Sequence, residues 1–219
     1  MKLFTKLFGI GSVLVATSCG HMAIALSSPV EQPFVEVKAA RTLRLVGEIG
    51  QNSLGFANQL MALAEADAKE DINIIINSPG GMVMAGGIIL QAMEAVQSRG
   101  IKLNCIVPIY AASMAYTIFH QCDRRYAFQN SLLLFHPIRT FLQEPITGRD
   151  AQKIADALNP YDEALRTELK KSGLSDKEIE EAYYAEKMWT ARELATKAKS
   201  GYIILIKDVH GINNIFQVQ

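Results

Sequence analysis

The sequence predicts an α/β domain built on a largely parallel sheet. Two observations carry this. Short apolar runs, as in strands buried on both faces, alternate with segments whose apolar residues recur at helical spacing. The alternation also keeps strand–helix–strand order along most of the chain, where an α+β protein would group its strands. Composition agrees. Of 219 residues, 49% are hydrophobic and 20% charged, which excludes wholesale disorder. Twenty-two basic residues balance 22 acidic ones, so no charge excess draws the chain to nucleic acid.

The elements follow in order. Thr42 to Val46 is a β-prone run ended by Gly47. Phe56, Leu60 and Leu63 share one helix face. Ile72 to Ile76 is an almost continuous apolar run, expected as a buried strand. Ile88, Ile89, Met93 and Val96 line a second helix, ended by Arg99-Gly100. Leu103 to Val107 is the next strand, Ala111 to Gln121 an apolar helix, and Ser131 to Phe135 a strand stopped by Pro137. Ile154, Leu158, Tyr161, Leu165 and Leu169 then mark a long amphipathic helix starting near Thr147. Ser175-x-x-Glu178 and Thr190-x-x-Glu193 are capping boxes that open two shorter helices. Tyr202 to Ile206 is a last strand. There is no internal repeat. Residues 41–208 read as one domain, 26–40 (with Pro29 and Pro33) as a linker or arm, and 209–219 as a tail.

Residues 1–25 read as an export signal. Lys2 and Lys6 precede a mostly apolar stretch from Leu7 to Thr17, and Ala23-Ile24-Ala25 offers a small-x-small cleavage site. The stretch is short for a membrane span. Ser18-Cys19 offers a lipoprotein-type cleavage site instead, with Cys19 acylated, and Met22 is a second candidate start. The expected location is the periplasm or cell envelope, or the cytoplasm if the signal is not used. Removing Lys2 and Lys6 from the 22 basic residues leaves 20 against 22 acidic ones.

Three segments could together make a hydrolase. Asn77-Ser78-Pro79-Gly80-Gly81 follows a buried strand, and its two glycines let bare N–H groups approach a ligand and stabilise an oxyanion. Taken alone, Pro-Gly-Gly is an ordinary turn. Ala111-Ala112-Ser113-Met114-Ala115 sets a serine among small neighbours at a helix start, with the dipole behind it. Taken alone, Ser113 is an N-cap. Phe135-His136-Pro137 sets a histidine where a strand emerges, placed to act as general base. Taken alone, it is an edge histidine. The other histidines fit less well. His21 lies in the export segment and His210 in the tail. His120 is seven residues beyond Ser113 on the same predicted helix, about 10 Å along the axis.

Asn77-Ser-Pro-Gly-Gly81, Ala112-Ser113-Met114 and Asn130-Ser131-x-x-x-Phe135-His136-Pro137 occur in the order and spacing of the Clp protease proteolytic subunit family. The sequence resembles that family from about Arg41 to Ala195. The resemblance implies a crotonase-like α/β fold, a spiral of β-β-α units, with residues 147–172 as a projecting handle helix. It implies serine endopeptidase activity on peptides or unfolded proteins, with Ser113 as nucleophile, His136 as base, and the N–H groups of Gly81 and Met114 as the oxyanion hole. The family's acid lies four residues before a Ser/Thr-Ala pair, which here selects Glu186 where the family has Asp; Asp150 and Asp123 are fallbacks. Ala115 stands where the family has glycine, and Ile109-Tyr110 where Gly-Gln is common.

The resemblance further implies stacked homo-oligomeric rings and no metal or cofactor. It also implies an ATP-driven unfoldase partner, but an exported protein would meet no ATP, so the expectation is an unfoldase-independent peptidase. The stretch from Asn77 to Ser113 is longer than in the Clp subunit and resembles the signal peptide peptidase A family, which shares the fold and uses a Ser-Lys pair. A non-catalytic ring protein and an acyl-CoA enzyme of the wider crotonase group are rival functions for the same fold. Cys105 and Cys122 could pair in an oxidising compartment, although Cys105 in a buried strand reads as an inert thiol. Use of the Ala25 site predicts a mature protein beginning at Leu26, read by N-terminal mass spectrometry of the secreted chain; an intact Met1 terminus contradicts it.

Overall fold

The computed structural model describes residues 28–140 and 145–216, so the export reading of residues 1–25 lies outside the described residues. Its elements are β1 (Val30–Glu31), β2 (Val35–Glu36), β3 (Thr42–Val46), α1 (Ser53–Ala66), β4 (Ile72–Asn77), α2 (Val83–Ser98), β5 (Leu103–Val107), β6 (Tyr110–Ala112), α3 (Met114–Gln121), β7 (Arg124–Phe128), β8 (Leu132–Leu134), α4 (Gly148–Lys170), α5 (Asp176–Tyr184), β9 (Trp189–Thr190), α6 (Ala191–Lys197), β10 (Ile204–Ile206) and β11 (Val209–His210). Six strands form one parallel sheet in the order β1-β10-β7-β5-β4-β3. A smaller sheet, β6-β8-β9, holds one parallel and one antiparallel pair.

All six residues of β4 are buried, because both faces of the main sheet are covered. Alternate side chains divide between two cores. Ile74 and Ile76 face α1, α2 and α3 through Leu60, Ile89, Met93 and Phe119. Ile75 faces the other way, with Ile106, Tyr126 and Ile206, under Val35, Val37, Val209 and Ile215. Each such aliphatic side chain contributes about 1.5–3 kcal/mol on full burial. The second core changes the reading of the chain ends. Within the expected arm, β1 joins the main sheet beside β10, while β2 pairs with β11 of the expected tail and closes the back of the sheet.

Three other elements differ from expectation. Residues 110–112 form a strand, and the expected helix from Ala111 begins only at Met114, because the chain reverses at Ser113. β7 was not foreseen, since Arg124-Arg125 hides its strand pattern, yet it pairs with both β5 and β10. Ile88 is exposed, and Ala85 and Ala92 complete the buried stripe of α2. The three helix starts at Thr147, Ser175 and Thr190 are all capping boxes, with Asp150, Glu178 and Glu193 closing them. Of the α4 stripe only Leu169 is fully buried and Tyr161 is exposed, so most of this 23-residue helix stands off the domain. No helix among the described residues is long and apolar enough to cross a membrane. Cys105 and Cys122 form a disulfide, against the expectation of an inert thiol: the end of α3 brings Cys122 over β5, with the Cα atoms 5.9 Å apart.

His120, near the end of α3, is buried. Its Nδ1 hydrogen-bonds the Tyr202 hydroxyl at 2.5 Å, and Tyr202 in turn meets the Tyr116 hydroxyl at 3.1 Å. Burial, reinforced by the neighbouring Arg125, lowers the His120 pKa to about 4, with Glu168 opposing and Lys171 adding slightly. The unfolded chain therefore takes up this proton near pH 6.5 while the fold resists it until about pH 4. Stability is lost as pH falls through that window, by about 3 kcal/mol. Urea unfolding at about pH 7 and about pH 4 should show this loss, and a His120→Gln variant should lose correspondingly less between the two.

Candidate functional site

The site lies where main-sheet strands run on past their ends. Beyond β4, Ser78 N–H donates to Tyr110 O at 3.2 Å and Ala112 N–H to Ser78 O at 3.1 Å, which joins the Gly-rich turn to β6. Beyond β3, Ile49 N–H donates to Gly80 O at 2.8 Å and Met82 N–H to Ile49 O at 2.9 Å. This ladder uses the groups flanking Gly81 and leaves the Gly81 N–H outside it. Gly80 N–H is turned onto Ser78 Oγ at 3.1 Å.

The two glycines are required by close approach. A Cβ on Gly80 would sit 2.6 Å from Ala112 O, 2.7 Å from Ser113 Cβ and 2.9 Å from Met114 N, and φ there is +94°. A Cβ on Gly81 would strike the Ile49 carbonyl. The Gly-rich turn is thus pressed against the serine.

Ser113 occupies the N-cap position of α3, but it does not act as a cap. Its φ of 55° and ψ of −127° lie outside the extended region a capping serine uses, and its hydroxyl makes no cap hydrogen bond. Thr147, Ser175 and Thr190 show the contrast, since each accepts from the N–H three residues on. A non-glycine residue in such a conformation carries about 1–3 kcal/mol of strain. It is held by Ser113 N–H donating to Leu134 O at 2.8 Å and by Tyr116 and Thr117 N–H groups donating to Ser113 O. Met114 opens the helix, so its N–H has no intrahelical acceptor. The Met114 side chain lies where a Cβ on Gly86 would be.

Strand pairing delivers the other residues. β6 and β8 run parallel with Ala112 opposite Leu134, so Ser113 and His136 follow at neighbouring ends. Phe135 is buried against the Tyr116 ring, 5.1 Å between centroids, and fixes the strand end from which His136 departs. β8 and β9 run antiparallel with Leu132 opposite Thr190 and Leu133 opposite Trp189. Continuing that register carries His136 to Glu186. Glu186 has φ +51° and follows α5, with Lys187 N–H donating to Ala182 O at 3.1 Å, a helix-terminating turn usually built on glycine. Ser113 and Glu186 are two of only three non-glycine residues with positive φ among the described residues.

The side chains do not close a triad. No hydrogen bond joins Ser113 Oγ to His136 among the described residues. His136 Nδ1 pairs with the Pro137 carbonyl at 2.6 Å. With Nδ1–H donating, the neutral ring presents Nε2 as the basic nitrogen. Glu186 is ion-paired with Arg139. That guanidinium holds the Glu186 carboxyl below the usual carboxylate range, and the nearby His136 adds to the effect. The fallback acids serve structure. Asp150 closes the cap of α4, and Asp123 binds Leu103 N–H, Gln97 and Lys102. Sequence reasoning missed Arg139 and also Asp162. Asp162 Oδ1 accepts from Ile138 N–H at 2.8 Å and the Tyr183 hydroxyl at 2.6 Å, tying the segment after His136 to α4 and α5. No sequence motif marks a contact across such a separation. No group of three or more His, Cys, Asp or Glu among the described residues is arranged to hold a metal ion.

Comparison with known proteins gives a family. The profile of the Clp protease family matches residues 29–200. The proteolytic subunit of the ATP-dependent Clp protease of Cyanophora paradoxa is 31% identical over 96 residues, covering 43% of this chain and 48% of that relative. The match thus spans about half the length of the curated relative. Extent of profile match, an α/β fold of the Clp and crotonase type, and the segments gathered at Ser113 agree, and the chain belongs to the Clp protease family.

Proposed function

We propose that this chain is a serine-type endopeptidase that cleaves peptides or unfolded proteins, with Ser113, His136 and Glu186 as its catalytic residues. The observation that supports this most is the Ser113 hydroxyl, left free of any cap bond at a strained strand-to-helix turn against Gly80. Strain of this kind concentrates at functional sites, and an ordinary N-cap serine has no use for it.

His136 Nε2 takes the proton as Ser113 Oγ attacks a peptide carbonyl. The Gly81 and Met114 N–H groups receive the oxyanion, each donor contributing about 3 kcal/mol in comparable sites. The Nδ1–H stays on the Pro137 carbonyl, and Glu186, on the turn after α5, supplies a negative charge near the ring. The protonated His136 then releases the amine, and water, deprotonated by the same nitrogen, frees the acyl group. The substrate lies extended along the site and pairs with it through its backbone.

The exposed part of α4 supports assembly into stacked rings through this helix. The Cyanophora relative is described as ATP-dependent. We carry over the peptidase class and not the ATP dependence, because an export-type N-terminus, if used, would take this chain away from ATP.

Ser113→Ala should abolish both peptide cleavage and fluorophosphonate labelling. His136→Ala should lower kcat/KM by at least about 10³; undiminished cleavage would point to a Ser-Lys pair. Glu186→Gln should lower kcat only about tenfold, because a backbone carbonyl already orients the ring. A loss near 10⁴ would mean that Glu186 itself orients it.

A further inference from the structure

Cys105 lies in the middle of β5 and is fully buried; Cys122 caps the end of α3 with 2% of its surface exposed. Between them the chain leaves the main sheet, forms β6, turns at Ser113, runs through all of α3 and returns to β5. The disulfide closes this excursion of sequence separation 17 into a ring with Ser113 near its middle. The end of α3 is tied at the same place by polar contacts. Gln97 Nε2 donates to Gln121 O at 3.0 Å, and the Arg125 guanidinium donates to the carbonyls of His120 and Cys122.

We infer that Cys105–Cys122 is a structural disulfide, made as the chain folds in an oxidising compartment, that staples the segment carrying Ser113. Its effect on catalysis rests on the reading of Ser113 as nucleophile; the bond itself does not. Burial separates a staple from a switch. In the folded chain neither sulfur is open to an oxidant or a reductant, so the bond forms before the core closes and persists afterwards. The chemistry balances by exchange. One cysteine thiolate attacks the disulfide of a thiol oxidoreductase to give a mixed disulfide, and the second thiolate displaces it. The oxidant leaves as a dithiol, having taken two electrons and two protons. An export-type N-terminus would deliver the chain to a compartment where such oxidants work. The ring constrains the unfolded chain and holds both ends of the nucleophile segment in the fold.

The test uses the full chain recovered from an oxidising secretory compartment. Denaturation in iodoacetamide without reductant, then peptide mapping, should give a linked Cys105–Cys122 pair that is alkylated only after reduction, and mapping distinguishes both from Cys19. Two alkylated residues before reduction would overturn the inference. The same sequence folded with the bond formed should melt about 6–12 °C above the chain folded in reductant, a comparison that removes no side chain. Equal melting would overturn the stapling role. The outcomes separate from those of the peptidase reading. A linked pair with the melting shift and no Ser113 labelling sinks only the peptidase; free thiols with normal labelling sink only the staple.

Discussion

The site depends on one register. β6 lies parallel to β8 with Ala112 opposite Leu134, and β8 lies antiparallel to β9 with Leu133 opposite Trp189. These few pairs bring three remote segments, ending at Ser113, His136 and Glu186, to one edge. A one-residue slip would turn Phe135 out of its contact with Tyr116 and drive His136 into the core. The buried Phe135 and Trp189 oppose that slip, since each must stay on the inner face. The small sheet thus fixes which residues meet, and the main sheet supplies the rigid base on which it rests.

Closeness at the site is obtained through backbone, not side chains. Gly80 can press on Ser113 and Met114 only because it lacks a Cβ. The reversal at Ser113 costs free energy locally and is held by backbone bonds to Leu134, Tyr116 and Thr117. The disulfide and the Arg125 contacts then anchor the far end of α3. A strained turn with both flanks fixed is a way to present an uncapped hydroxyl at the start of a short helix, in line with its dipole.

Much of the fold was legible in the sequence, for a physical reason. Buried parallel strands such as β4 carry apolar side chains on both faces (Ile74 and Ile76 on one, Ile75 on the other), and capping boxes are local, so Thr147, Ser175 and Thr190 announce their helices. What failed was non-local or mixed in signal. β7 opens with two arginines, one of which covers Tyr202, so its pattern reads as polar. β6 contains Ala111 and Ala112, which suit a helix until the turn at Ser113 interrupts it. The pairing of β2 with β11 joins opposite ends of the chain, which no local window reveals. At the candidate site, the segments holding Ser113, His136, Gly81 and Glu186 could be named from the sequence, and strands β6, β8 and β9, next to three of them, pair in one small sheet. The Arg139 partner of Glu186, the Pro137 carbonyl on His136 and the Asp162 brace were not, because each depends on side-chain directions that the sequence does not encode locally.

The central claim is that the fold makes Ser113 a nucleophile, and that the residue type alone would not. The most direct measurement is fluorophosphonate labelling of the native full-length chain, with the adduct located by peptide mass spectrometry, alongside a sample unfolded before exposure to the probe. The account predicts a single adduct on Ser113 that is absent from the unfolded sample. Native protein that stays unlabelled, or that carries its adduct on another residue, would contradict it.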